Sequence, residues 1–178
     1  NRLQKSMTLD LQSAIQKLCE KFDITAGRTI RTPAVYTDLA EGTVQEDYPL
    51  RSLLGGLQYI GCMARPDVVF SVNRLARHAD KPTSAVITAA KRIARYLLQT
   101  ASVGIEYSVD RETRFRQTYE KVLKESGSES ALADRVAFAD ADYAGCPVSL
   151  RSTSGSILFL HGCPICWSSR RQSVLAQS

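Results

Sequence analysis

Asp140-Ala-Asp142 sets two carboxylates two residues apart at the end of a stretch, Val136 to Asp142, that reads as a strand. Residues two apart on a strand share a face, so both carboxylates stand on the face that Val136 and Phe138 begin as apolar. Such a pair could touch Mg²⁺. A two-metal nuclease must hold its ions about 3.5 to 4 Å apart and stabilise both attacking and leaving oxygens, which takes further carboxylates. Cys163-Pro-Ile-Cys166 has the spacing of half a zinc site, with Cys146 and His161 as conceivable further ligands. A zinc site usually shows a second close ligand pair, so buried strand thiols are the better reading and no metal site is expected. Ser152, Thr153 and Ser156 would need a base to act as nucleophiles, and His78 and His161 form no evident triad order with them.

The elements that position these groups follow from hydrophobic spacing. Leu11, Ala14, Ile15, Leu18 and Phe22 recur at helical intervals, which predicts an amphipathic helix between Leu9 and Phe22. Residues 23 to 47 carry no sustained period and read as an irregular connector. Leu50, Leu53, Leu54, Leu57 and Ile60 mark a second helix that ends before Arg65-Pro66. Pro66 opens a third, with Asp67 placed against the helix dipole and Val69, Val72 and Ala76 offered to a core. Thr83 or Ser84 can cap a fourth, whose apolar stripe is Val86, Ala90, Ile93 and Leu97. Lys91, Arg92 and Arg95 fall on the opposite side, so this helix has a core face and a basic face. A short strand is expected at 104–107, a solvated charged helix and then a flexible loop within 109–134, and three short strands at 136–142, 155–161 and 164–170. The Gly and Pro punctuation of those last strands suggests an antiparallel meander.

Composition sets the outer bounds. The 178 residues are 44% hydrophobic and 23% charged, which excludes wholesale disorder. A net charge of +5 admits a polyanionic partner without demanding one. Five cysteines, at 19, 62, 146, 163 and 166, are an odd number without a secretory leader, which favours a reducing compartment over a disulfide framework. No apolar run reaches the roughly 18 residues of a membrane span. The first residue is Asn1, not Met, so a removed transit peptide and a mitochondrial matrix location stay open.

Several motifs in order carry a family resemblance: Ile15-x-x-Leu18-x-x-x-Phe22, Thr32-Pro33, Arg51-Ser-Leu-Leu-Gly55-x-Leu57-x-Tyr59, Arg65-Pro-Asp67, Ala89-Ala-Lys-Arg-Ile-Ala-Arg-Tyr-Leu97, Asp140-Ala-Asp-Tyr-Ala-Gly145, Arg151-Ser-Thr-Ser-Gly155 and Trp167-Ser-Ser-Arg-Arg-Gln172. Together they resemble the Pol polyprotein of copia-type retrotransposons, from the end of the reverse transcriptase through the start of ribonuclease H. The likeness covers most of the chain, excluding roughly 109–134. It departs at Cys146 and Leu150, where the family often has acidic residues.

This resemblance implies an α+β fold. A helical thumb/connection-like region of about four helices would span 1–108, a charged helix and linker 109–134, and a partial ribonuclease H-like domain, its first three strands an antiparallel meander, 135–178. The thumb and connection would grip a template-primer duplex through its minor groove and backbone, using small residues for close approach and cations for phosphates. Gly55, Gly56, Lys91, Arg92 and Arg95 are the candidates for that grip, joined by Arg74, Arg77, Arg170 and Arg171. The structural alternative is that the glycines allow helix packing and the cations form a solvated face.

Asp140 would supply the first metal-binding carboxylate of ribonuclease H, but the next ligand implied is a Glu on the helix after the third strand, and the chain ends at Ser178. No Tyr-x-Asp-Asp occurs, and the polymerase aspartates would precede Asn1. Asp140 and Asp142 are therefore expected to be vestigial, with no cofactor and Mg²⁺ needed only if a ribonuclease H site is completed elsewhere. The expected function is that of a non-catalytic, Pol-derived structural component facing RNA within a larger assembly such as an organellar ribosome or another ribonucleoprotein. Other proteins would cover its open sheet. The alternatives are a fragment of an active reverse transcriptase with ribonuclease H, and a purely protein-binding scaffold.

Overall fold

The structure is a computed structural model that describes residues 5–34, 39–125, 135–146 and 149–175. Its elements run β1 (Ser6–Leu9), α1 (Gln12–Lys21), α2 (Leu50–Met63), α3 (Pro66–Ala76), α4 (Ser84–Gln99), β2 (Ile105–Ser108), α5 (Val109–Glu125), β3 (Arg135–Ala141), β4 (Thr153–Leu160) and β5 (Cys163–Arg171). The chain is thus α+β, and it divides into two compact units.

The unit Asp10–Gly104 holds α1 to α4. Its core takes Ile15 and Cys19 from α1, Leu50, Leu53, Leu57 and Ile60 from α2, Val68, Val72 and Leu75 from α3, and Val86, Ala90, Ile93 and Leu97 from α4. Of the three residues that spacing offers from α3, Val69 and Val72 are buried, whereas Ala76, in the last turn, is exposed. Pro66 sits in the first turn of α3, where its missing N–H costs nothing. Thr83 caps α4, its hydroxyl oxygen accepting from the Val86 N–H at 3.3 Å and its proton going to the Leu39 carbonyl at 2.8 Å. One hydroxyl thereby satisfies a helix end and anchors the connector.

Although irregular, the connector is not loose. Ile24 and Leu39 are buried in the helical core. The Gln99 amide accepts from Ile30 N–H at 2.7 Å and donates to the carbonyls of Ala26 and Arg28 at 2.6 and 2.7 Å, binding the connector to the far end of α4.

The other unit combines residues 1–9 with 105–178. Spacing counts Leu9 into the first helix, and the resemblance counts residues 1–8 into the helical region. Instead Ser6–Leu9 form β1, which pairs antiparallel with β2 from Ser6↔Ser108 to Leu9↔Ile105. The strands β3, β4 and β5 make the expected antiparallel meander, in the order β3-β4-β5. Its register aligns Val136 with Phe159, Phe138 with Ile157 and Asp140 with Gly155. A bulge between Leu158 and Phe159 shifts the pairing of β4 with β5.

The charged α5 is not fully solvated. Phe115 stacks on Phe159 with ring centroids 5.2 Å apart, and Tyr119 tilts against Phe138 at 5.3 Å. These contacts place α5 on the face of the meander that carries Val136 and Phe138, while Ala137, Ala139 and Ala141 alternate onto the opposite face and are exposed. The loop expected within 126–134 lies outside the described residues.

Candidate nucleic-acid interface

Adjacent glycines on α2 do different work. A side chain at Gly56 would collide with the Leu18 side chain of α1, so Gly56 lets two helices touch. Around Gly55 nothing lies within 4 Å of where a side chain would begin. It is exposed, and Tyr59 and Met63, one and two turns further along, are 55% and 46% exposed. Residues four apart lie on one helix face, so α2 presents a bare backbone position followed by an aromatic ring and a thioether. That is a surface on which another backbone or a stacked base could lie closely.

The basic face of α4 is divided as well. Arg92 donates to the Thr32 carbonyl at 3.2 Å, so its guanidinium holds the connector. Its buried Nε has no hydrogen-bond partner among the described residues, and with Arg74, Pro33, Phe70 and Ala89 the Arg92 side chain lines a small cleft. The Lys91 ammonium lies 5.0 Å from the centroid of the Tyr48 ring. Arg95 is half-buried, with no polar partner among the described residues. Arg74 and Arg77, half-buried at the end of α3, are already engaged with neighbours. Lys91 and Arg95 are thus the cations of this face least committed to holding the fold.

A group that charge patterning did not single out is Arg65, only 2% exposed. Its Nε and one terminal nitrogen donate to the two oxygens of Asp67 at 3.0 and 2.8 Å. Its terminal nitrogens also reach the Thr100 carbonyl at 2.9 Å and hydroxyl at 2.8 Å, and the guanidinium carbon lies 5.4 Å from the centroid of the Tyr96 ring. Tyr96 adds a hydrogen bond to Asp67 Oδ2 at 2.8 Å. Burial works against the Asp67 carboxylate, but the hydrogen bonds from Arg65 and Tyr96 and the guanidinium charge outweigh it, holding the carboxyl below its usual range. Burial first, and then the bond to Asp67, push the Tyr96 phenol up. One buried fork therefore locks the start of α3 to the end of α4. The available sequence signal was Arg65-Pro-Asp67 itself, which puts a cation and a carboxylate two residues apart around a helix start.

In the meander, Asp140 and Asp142 diverge in role. Asp140 is exposed, and its Oδ1 accepts the Ala141 N–H at 2.8 Å. Asp142 Oδ1 accepts the Thr153 N–H while the Asp142 N–H donates to the Thr153 carbonyl at 3.1 Å, so this residue closes the ladder at the mouth of β4. A side chain at Gly145 would strike that carboxylate. Buried Ser152 accepts the Ala144 N–H at 3.1 Å, and Ser156 and Ser168 hydroxyls lie 2.9 Å apart across the strands.

The Cys163 thiol is buried and points to the Glu106 carbonyl at 3.6 Å, while Cys166 is exposed. Arg170 and Arg171 are exposed neighbours on β5 and alternate to opposite faces. Among the described residues, no three of His, Cys, Asp and Glu are grouped so as to hold a metal ion. Asp140 and Asp142 thus offer two exposed carboxylates where a two-metal centre needs several.

Fold and site together define a mixed α+β protein whose helical unit presents an open glycine face and whose meander opens on an Asp-x-Asp strand. The chain belongs to the copia-type retrotransposon Pol polyproteins. It is 30% identical over 181 residues to the retrovirus-related Pol polyprotein from transposon RE1 of Arabidopsis thaliana, a match covering 99% of this chain and 11% of that protein. To the corresponding polyprotein from transposon RE2 it is 32% identical over 179 residues, 98% of this chain and 10% of the relative. The chain therefore spans about a tenth of the length of these relatives. It is also 30% identical over 133 residues to secreted RxLR effector protein 161 of Plasmopara viticola, covering 75% of this chain and 80% of that protein. No family model matches, and neither does any solved structure.

Proposed function

We propose that this chain is the segment of a copia-type Pol protein that holds a nucleic-acid duplex ahead of the ribonuclease H domain, binding nucleic acid without cutting it by itself. The observation that carries this reading is the exposed face of α2, where Gly55 leaves open space beside exposed Tyr59 and Met63. A glycine that serves no packing contact costs helix stability, which a role in close approach to a duplex explains. Lys91 and Arg95 add charge for phosphates. Thumb and connection are the roles assigned to the helical unit, and Asp140 is assigned as the opening carboxylate of ribonuclease H, with further ligands coming from outside the described residues.

The test is binding of a short RNA–DNA hybrid as a function of salt, together with cleavage in Mg²⁺. Residues 1–178 are expected to bind with a negative log–log salt slope and to leave the hybrid intact. Replacing Lys91 and Arg95 by alanine should each reduce the slope by about 1, and Gly55→Leu should weaken binding without changing the slope. Affinity indifferent to all three substitutions rejects the interface.

A second reading is favoured by the secreted effector, a protein that this chain nearly spans. In it the segment acts as a free-standing, non-catalytic scaffold or as a subunit of a larger ribonucleoprotein such as an organellar ribosome. Native purification separates the readings: a stable complex whose partners contact the helical unit in place of nucleic acid selects the second.

A further inference from the structure

We infer that α5 is a detachable cover over the sheet face on which Asp140 stands, an autoinhibitory contact built into this unit. Alternation puts Val136, Phe138 and Asp140 of β3 on one face, aligned with Phe159, Ile157 and Gly155 of β4. Phe115 lies against Phe159 and Tyr119 against Phe138, so α5 advances along that face in the direction of Asp140. Asp140 itself is exposed, and α5 occupies the adjoining Val136–Phe138 part of its face, across which a group completing a site around Asp140 would have to pack.

The first three turns of α5 are held at several points. Glu112 Oε1 lies 3.1 Å from His161 Nδ1 in the β4–β5 turn and also accepts from Arg116 at 2.9 Å. Gly162 tucks under the same turn of helix, and a side chain there would begin 2.7 Å from Phe115 Cβ and 3.0 Å from Glu112 Cα. Phe115 and Tyr119 complete the attachment. Beyond them Glu120, Val122, Lys124 and Glu125 are exposed, and the Lys124–Glu120 ion pair at 2.8 Å lies within the helix itself. Among the described side chains, α5 is fixed through two aromatic rings, the Glu112 cluster and an Arg111–Glu106 ion pair at 3.4 Å to β2. A polar helix so held opens at lower free energy than the hydrogen-bonded strands beneath it.

The inhibitory part of this inference rests on Asp140 belonging to a ribonuclease H site, and detachment does not. Hydrogen exchange on the 178-residue chain and hybrid cleavage by the complete Pol protein containing it test the two parts, each in wild type, Tyr119→Ala and Glu112→Gln. Tyr119→Ala should speed exchange of α5 amides about tenfold and leave β3–β5 amides within about twofold, while raising cleavage severalfold. Glu112→Gln, which keeps the aromatic packing, should do the same to a smaller extent. Strand amides that accelerate together with α5, or cleavage unchanged in both variants, overturn the cover. Cleavage that persists in Asp140→Asn removes the ribonuclease H reading and the inhibitory role with it, a failure separate from any exchange result.

Discussion

Replacing Arg65 by alanine is expected to destabilise the helical unit by about 3–4 kcal/mol, the lower part of the range of about 3–5 kcal/mol for breaking a buried charge pair. Four hydrogen bonds end on this guanidinium, two on Asp67 and two on Thr100. Taken singly, hydrogen bonds to charged groups contribute about 1.5–3 kcal/mol each, but their sum overstates the loss. The Asp67 side chain is 37% exposed and can regain water once Arg65 is gone, whereas Arg65 itself is shielded at 2%. Arg65→Lys keeps the charge and loses the fork, so a smaller cost of about 1–2 kcal/mol is expected. Urea unfolding followed by circular dichroism measures this as a lower midpoint at unchanged m. A double-mutant cycle with Asp67→Asn should return a coupling of at least about 1 kcal/mol. An Arg65→Ala loss below about 1 kcal/mol, or zero coupling, would refute the view that this fork locks α3 to α4.

The neighbouring glycines of α2 should respond with opposite signs: Gly55→Ala gains up to about 1 kcal/mol from helix propensity, and Gly56→Ala loses about 1–3 kcal/mol by overpacking against Leu18. Thermal unfolding of both variants checks this, and equal shifts would contradict the packing assignment. The depressed Asp67 carboxyl stabilises the fold above the ordinary aspartate value of about 3.9, and that contribution is lost as pH falls through the lower folded value. The stability gap between wild type and Asp67→Asn should therefore narrow from pH 7 to pH 3, and a constant gap would sink the linkage. Gly162→Ala, at φ +73° and hard against Phe115, should cost about 1–3 kcal/mol, read as reduced protection of the meander amides in hydrogen exchange.

The parts of the fold that could be read in advance were those with a long local period. Val86, Ala90, Ile93 and Leu97 all reach the core, as do Leu53, Leu57 and Ile60, because a helix buries whatever recurs every 3.6 residues. The meander strands were found to within two residues at each end, since turn residues bracket them. By contrast β1 escaped: four residues offer too short an alternation, and its partner β2 lies far along the chain. The docking of α5 was hidden for a different reason, as Phe115 and Tyr119 are two aromatic residues in a run otherwise dominated by charge.

At the candidate site, residue type located the cations and glycines, but only packing separated Gly56, a contact between helices, from open Gly55. Geometry likewise separated Arg92, which holds the connector, from Arg95. The burial of Arg65 was not legible in the sequence, because an arginine is ordinarily a surface residue unless its fork is satisfied.

The ladder between β1 and β2 has a kinetic meaning. Leu9 and Ile105 are partners, so the intervening helical unit leaves and rejoins the strand pair at one point and is, in connectivity, an insert. Closing so long a segment costs about 3 kcal/mol more in chain entropy than closing a four-residue turn, and a four-rung ribbon repays that poorly while α1 to α4 are unformed. The helical unit should therefore fold first and bring the two strands within reach. Exchanging it for a short Gly-Ser bridge should let the strand unit close its ribbon early.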